Sequence, residues 1–274
     1  MNTINNLDSL RAMSGLREAS AKVTQASERL STGLRINRSS DDVGGMAVAN
    51  GLKTQIASYN KVLDNVTSGS TVAQLIDTSL SQIVDILGYM RVAAVASESD
   101  TLSTAERTAY QDEMDAYVTS IDTIASNSTW NGTSLMSSAS TMAIQTGVNS
   151  GDSTTLTLDE ITSSELAVDS LSTASTTTAA SAVDYIDTAL DTVYTYQAYI
   201  GSMVNVMDSQ YNVATNAITN YSAAYGSIMN TDYAAESASL ASAQIQRDGA
   251  TAMLVQGNGL NRSLVDYLLS STQS

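Results

Sequence analysis

From Val183 to Ile228 apolar side chains recur at intervals that alternate between three and four residues. The series is Val183, Ile186, Leu190, Val193, Gln197, Ile200, Val204, Met207, Tyr211, Ala214, Ile218, Tyr221, Tyr225 and Ile228, with Gln197 its one fully polar member. This spacing puts all of them on one narrow stripe of an α-helix roughly 70 Å long. So long and narrow a seam has to lie against partner helices. The chain of 274 residues contains 0 Pro, so no position is barred from a helix interior.

A second stripe runs Leu52, Ile56, Tyr59, Leu63 and Val66, then Ala73, Ile76, Leu80, Ile83, Leu87, Met90 and Ala94. Its alternation breaks near Ala73, where a local change of winding is expected. Asp41 or Asp42 can cap the start of this helix, and Ser103 or Thr104 the start of the next. That third helix carries Tyr110, Met114, Tyr117, Ile121 and Ile124 and stops at the turn-rich "SNSTWNGTSLM". The period then changes. "MAIQTG" and "STTLTL" flank "VNSGD" and predict a β-hairpin between about Met142 and Leu158. From Asp159 to Ser181 the chain is Ser/Thr-rich, either a loose loop or a small surface excursion.

The two ends are also periodic. Leu16, Ala19, Val23, Ala26 and Leu30 form one seam; Leu240, Ala243, Ala250, Leu254, Leu264 and Leu268 form another, interrupted by Arg247, Gly257 and Asn261. Small residues make both seams weak for a lone helix pair. The expected fold is therefore mainly α: a long antiparallel helical bundle or coiled coil with one small β-hairpin region.

Composition narrows the chemistry. With 0 Cys and 0 His there is no thiolate nucleophile, no disulfide and no imidazole base or metal ligand. The net charge of -16 argues against nucleic acid as a partner. Charge is segregated. Arg11, Arg17, Lys22, Arg29, Arg35 and Arg38 face only Asp8, Glu18 and Glu28 in the first 38 residues, while no Lys or Arg occurs between Arg107 and Arg247. No stretch reads as membrane-spanning, and "MNTINNLDSLRAM" lacks the n- and h-regions of a cleaved Sec-type signal peptide. The segment "LSTGLRINRSSDDVGG" gathers arginines, aspartates and glycines, but lacks the Gly-Lys-Ser/Thr ending of a phosphate loop. Asp41 and Asp42 have no further oxygen ligands at a cation-loop spacing. These residues read as a joint between helices. No cofactor, metal or enzymatic activity is expected.

Several blocks, in order, resemble bacterial flagellin, the subunit of the flagellar filament. They are "ASERLSTGLRINRSSDDVGGMAVANGL", "NVTSGSTVAQLIDTSLSQI", "SNSTWNGTSLM", "MAIQTGVNSGDSTTLTL" and "DYAAESASLASAQIQRDGATAMLVQGNGLNRSLVDYLL". The resemblance implies a structural subunit that polymerises into a helical tube used for motility, outside the cell. Its expected partners are further copies of itself, the flagellar export apparatus, a filament chaperone, and the cap and junction proteins. Residues 1–40 and 232–274 would form an inner coiled-coil layer. Residues 41–231 would form a helical rod bearing the hairpin and a Ser/Thr-rich segment at about 137–181, in a reduced form with little or no outer domain. A hook–filament junction protein of the same family is the alternative.

The resemblance also implies site residues. Leu34, Arg35, Ile36, Asn37, Arg38, Asp41, Asp42 and Asn50 fall in a segment that joins the layers and contacts neighbouring subunits. Tyr89, Arg91, Val95 and Glu113 fall where the family meets the vertebrate innate flagellin receptor. The family's Arg-Val-Arg-Glu-Leu run there is replaced by Tyr89, Met90, Arg91, Val92 and Ala93, which implies weak receptor activation.

Overall fold

The computed structural model describes residues 7–271, and the side chains of the seam positions Leu264 and Leu268 lie outside what it describes. The order of elements is α1 (Leu7–Thr32), α2 (Val43–Ser97), α3 (Thr104–Asn127), β1 (Thr129–Trp130), β2 (Thr133–Ser134), β3 (Ser140–Gln145), β4 (Ser153–Leu158), α4 (Thr176–Met229) and α5 (Tyr233–Ser271). The chain forms two compact units, Met1–Thr54 with Asn220–Ser274, and Gln55–Thr219. The fold is mainly α, with strands confined to two small antiparallel pairs among the described residues.

In the 55–219 unit, α2 and α4 run antiparallel, tied by Arg91 to Asp187 and by Gln197 Nε2 donating to Ser81 Oγ at 3.1 Å. Helix α3 returns along α2, with Ser128 Oγ donating to Ser79 Oγ at 2.7 Å. The core is drawn from all three helices. It includes Ile76, Leu80, Ile83, Leu87 and Met90 of α2, Met114 and Ile121 of α3, and Ile186, Val193 and Ile200 of α4. Each such side chain contributes about 1.5–3 kcal/mol on leaving water. By length and composition alone α2 could cross a membrane, with a mean hydropathy of 1.2 over its most apolar window. Its seam positions Ile76, Leu80, Ile83, Leu87 and Met90 are buried inside the fold.

The two long seams differ in detail from the sequence reading. On α2 the suspected change of winding is absent. The buried positions Val62, Val66, Gly69, Ala73, Ile76, Leu80, Ile83, Leu87, Met90 and Ala94 alternate without a break. Gly69 fills the gap, and a search for apolar side chains passes over it. A Cβ there would meet Ile144 Cδ1 at 2.6 Å, so β3 is seated directly on the helix backbone. On α4 the fully buried stripe runs Ala182, Ile186, Ala189, Val193, Tyr196, Ile200, Met203 and Met207. Val183, Leu190, Gln197 and Val204 flank it, half-buried. Tyr211 stays 45% exposed.

Strands β3 and β4 pair from Ser140 opposite Leu158 to Gln145 opposite Ser153, and Ile144, Leu156 and Leu158 point into the core. The turn-rich stretch after α3 holds a second, very short hairpin, β1–β2, closed by Asn131 at φ 48 and Gly132 at φ 79. Two consecutive positive φ values are what a two-residue hairpin turn of type I′ requires.

Residues 159–175 have no regular structure, yet they form no loose loop. Ile161, Leu166 and Val168 are buried. The Ser163 N–H and hydroxyl donate to the two Asp122 oxygens at 2.9 and 2.8 Å, and the Thr173 N–H donates to Gln111 Oε1 at 2.7 Å. These α3 side chains bind the segment as a belt.

In the other unit, α1 and α5 pack antiparallel. Arg29 meets Glu236 at 3.6 Å near one end, and Ser9 approaches Gly257 near the other. Ala19, Ala26 and Ala243 are buried between them. Glu236, Leu240, Ala243, Arg247, Ala250, Leu254 and Gly257 line one stripe of α5 that turns from solvent. The interruptions Arg247 and Gly257 therefore belong to the seam, and the side chain of Asn261 lies outside what is described.

Candidate functional site

The segment from Gly33 to Asp42 links α1 to α2 through a chain of local bonds. Gly33, at φ 72, ends α1, and its N–H donates to Arg29 O at 2.8 Å. A left-handed residue just past a helix is where glycine carries no Cβ penalty. The backbone next pairs with the α4–α5 connection. Leu34 bridges Asn230, the Arg35 N–H donates to Met229 O at 2.6 Å, and the Thr231 N–H donates to Gly33 O at 3.0 Å. Arg35 Nη2 also reaches Ile228 O at 2.9 Å. Its guanidinium thus satisfies a carbonyl in the last turn of α4, where the helix dipole favours a cation. Asn37 Nδ2 donates to Leu34 O at 3.0 Å, and Arg38 pairs with Glu28 at 3.0 Å.

The two aspartates have separate tasks. Asp42 caps α2: its Oδ1 accepts from the Gly45 N–H at 2.8 Å. Asp41 Oδ2 instead accepts from the N–H groups of Asn37 and Arg38, both at 3.0 Å. Those donors, Arg38 first and Asn37 next, hold the Asp41 carboxyl below its ordinary range. Beneath the turn Ile36 is buried with Ala49 and Met229. Of the segment's residues, Arg35, Arg38, Asp41, Asp42 and Asn50 are exposed, and Leu34 and Asn37 are half-buried. No group of three or more acidic side chains disposed to hold a metal ion occurs among the described residues.

Along its length the α1–α5 pair exposes large apolar side chains. Leu10 is 59% exposed, Ile245 73%, Met253 70% and Val255 67%. These side chains are distributed over α1 and around α5.

The second group of expected site residues lies on α2 and α3. Tyr89 stacks on Tyr117 with ring centroids 6.0 Å apart, and the Tyr117 hydroxyl donates to Glu113 at 2.8 Å. That bond pushes the Tyr117 phenol up. Arg91 turns to α4, with Nε donating to Asp187 Oδ1 at 2.6 Å and Nη2 to Oδ2 at 3.2 Å. The hydrogen bond, then the charge, raises the arginine; Asp187 is lowered first by the same bond. Tyr89 and Glu113 are thus brought together through Tyr117, Arg91 is directed to α4, and Val95 remains 45% exposed.

Sequence reasoning missed Arg107. It is buried and donates to the carbonyls of Ser97 and of Ser99, the latter at 2.7 Å, so it closes the C-terminal end of α2. Arg107 lies seven residues before Met114, which lies seven before Ile121. Extending the α3 stripe back by one heptad would have found it. Asp122 and Gln111, which hold the belt, carry no comparable signal.

Comparison with known proteins finds two matching regions in the chain. Residues 4–141 match the bacterial flagellin N-terminal helical region, and residues 183–268 match the bacterial flagellin C-terminal helical region. A flagellin of Halalkalibacterium halodurans is 30% identical over 265 residues, covering 94% of this chain and 97% of the relative. A flagellin of Salmonella typhimurium is 31% identical over 186 residues, covering 66% of this chain but 38% of that longer protein. Among solved structures, a putative flagellar hook-associated protein of Vibrio parahaemolyticus shares the fold at a TM-score of 0.59 and 15% identity, over 69% of this chain and 100% of that one.

Proposed function

The chain belongs to the bacterial flagellin family, and from that premise we infer how it acts as a self-assembling structural subunit of the flagellar filament. The observation that carries this reading is the apolar surface left open on the α1–α5 pair at Leu10, Ile245, Met253 and Val255. Small residues in the α1–α5 seam let the two helices approach closely, and the larger apolar residues remain for neighbouring copies. Residues 1–40 and 232–274 form the inner layer of the polymer, and residues 41–231 the layer around it.

The joint residues Arg38, Asp41, Asp42 and Asn50 lie at the surface and are assigned to contacts between copies, together with Leu34, Arg35 and Asn37. Ile36, being buried, supports the joint from beneath. The belt at 159–175 stands where longer flagellins carry additional domains, so this subunit is a reduced one. The mature location is the extracellular filament. The export apparatus, a chaperone, and cap and junction proteins are the partners such a subunit requires. A junction-protein role is the lesser reading, since the likeness to the Vibrio hook-associated protein is one of fold.

Electron microscopy of the purified chain after salt-induced polymerisation tests the assignment. Smooth thin filaments are expected, and persistent monomers under all conditions would overturn it. Ile245→Asp or Met253→Asp should abolish filaments while leaving the 55–219 unit folded.

A further inference from the structure

The sequence contains three Asn–Gly pairs, Asn50–Gly51, Asn131–Gly132 and Asn258–Gly259. Asn–Gly is the pair most prone to intramolecular attack on the carboxamide, because glycine presents no side chain to obstruct it. The sequence does not rank the three, but the structure does. Gly51 lies within α2 and Gly259 within α5, where each amide is committed to a carbonyl one turn back. Gly132 closes the β1–β2 turn, and neither its N–H nor the Asn131 carboxamide has a hydrogen-bond partner among the described residues. Asn131 is exposed, and the space around Gly132 is open to beyond 4 Å from a built Cβ.

We propose that Asn131 is a site of spontaneous deamidation. The Gly132 nitrogen gives its proton to hydroxide and attacks Asn131 Cγ. Ammonia leaves, a succinimide ring closes, and water opens either of its carbonyls to give an aspartyl or isoaspartyl residue. The balance is one water consumed and one ammonia released, with no change of oxidation state. Ring closure requires the left-handed turn to relax. That is a local opening of two strands of two residues each, well below the cost of opening a long helix.

The product alters its surroundings. An isoaspartyl link adds a methylene to the backbone, and a connection that fits a two-residue turn no longer matches the pairing of Trp130 with Thr133. Trp130, half-buried and the chain's single tryptophan, borders a cleft with Gly69, Val72 and Ile144. Losing the turn loosens it toward water.

The test is incubation of the full chain at mildly alkaline pH in ¹⁸O-labelled water, followed by peptide mass mapping and tryptophan emission. Deamidation with label uptake is expected at Asn131, about tenfold or more faster than at Asn50 or Asn258. Emission should shift to the red in step with it. Asn131→Gln should remain unmodified at that position and keep its initial emission. The time course on the unaltered chain needs no variant to fold. Equal or faster reaction at Asn50 or Asn258 would overturn the site assignment, and deamidation at Asn131 without an emission change would overturn its structural consequence.

Discussion

Arg35 donates from Nη2 to the main-chain carbonyl of Ile228 at 2.9 Å, joining positions 193 residues apart. With the Leu34–Asn230 bridge it clasps the exit of α1 to the entry of α5. Arg35→Ala should cost about 1 kcal/mol, and Asp42→Ala, which removes the α2 cap, about the same. Both should slow or prevent polymerisation, measured by light scattering, while the far-ultraviolet circular dichroism of the monomer hardly changes. Faster amide exchange at Thr231 would report the opened clasp in Arg35→Ala.

Gly69 and Ile144 are a matched pair. Gly69→Ala puts a Cβ at 2.6 Å from Ile144 Cδ1, and the hairpin must shift. A loss of about 1–3 kcal/mol in urea unfolding is expected. Ile144→Val removes the opposing methyl, so Gly69→Ala combined with Ile144→Val should be more stable than the sum of the single changes predicts. Additive losses would mean the contact is not what limits this site.

Arg107 fills a buried position with a cation whose Nη1 and Nη2 donate to the carbonyls of Ser97 and Ser99, at the end of α2 and just beyond it. Arg107→Ala leaves those carbonyls unmet and should cost about 3 kcal/mol in denaturant melts. Arg107→Lys keeps the charge but lacks the planar fork, and should recover only part of that loss.

Tyr196 reports on alkaline stability. Burial pushes its phenol up to about 12, against the partial opposing effect of the Asp159 N–H bonded to it. An unfolded tyrosine titrates near about 10. The folded state therefore holds this proton more tightly. The corresponding stability is fully present below about pH 10 and is lost as pH rises through about 12. Tyr196→Phe should remove that part of the alkaline loss, seen as a smaller difference between melts at the two ends of the window. The same variant gives up the hydroxyl that donates to Thr157 O at 3.2 Å, so it should be less stable at neutral pH.

Arg91 and Glu113 are each engaged within the chain, with Asp187 and Tyr117 respectively. A receptor using them must first displace those partners. A reporter-cell assay for the vertebrate innate flagellin receptor should give lower potency than an enterobacterial-type flagellin; equal potency would refute this.

The α2 and α3 stripes, the α5 stripe from Leu240 to Leu254, the Ser103 cap and the β3–β4 hairpin were legible in the sequence because each rests on local periodicity or on a side chain bonding to backbone within a few residues. Less was legible where the deciding group is remote. The buried face of α4 lies one position from the apolar series in half of its members, because Ala182 and Ala189 pack tightly while larger Val183 and Leu190 stand at the edge. Periodicity finds a stripe, but only the neighbours decide which side of it faces inward. Gly69 was invisible because its contribution is an absent side chain that matters only once Ile144 lies on it. The belt at 159–175 reads as low complexity, since its buried residues are spaced irregularly and its anchors, Asp122 and Gln111, sit on another helix. Asp41 and Asp42 were equivalent candidates until the turn placed the Asn37 and Arg38 amides against one and the Gly45 amide against the other. Sequence alone thus determined the helices, the hairpin and the family, which depend on short-range pattern. Tertiary structure decided register, burial and the partner of each charged group, which depend on contacts between residues far apart in the chain.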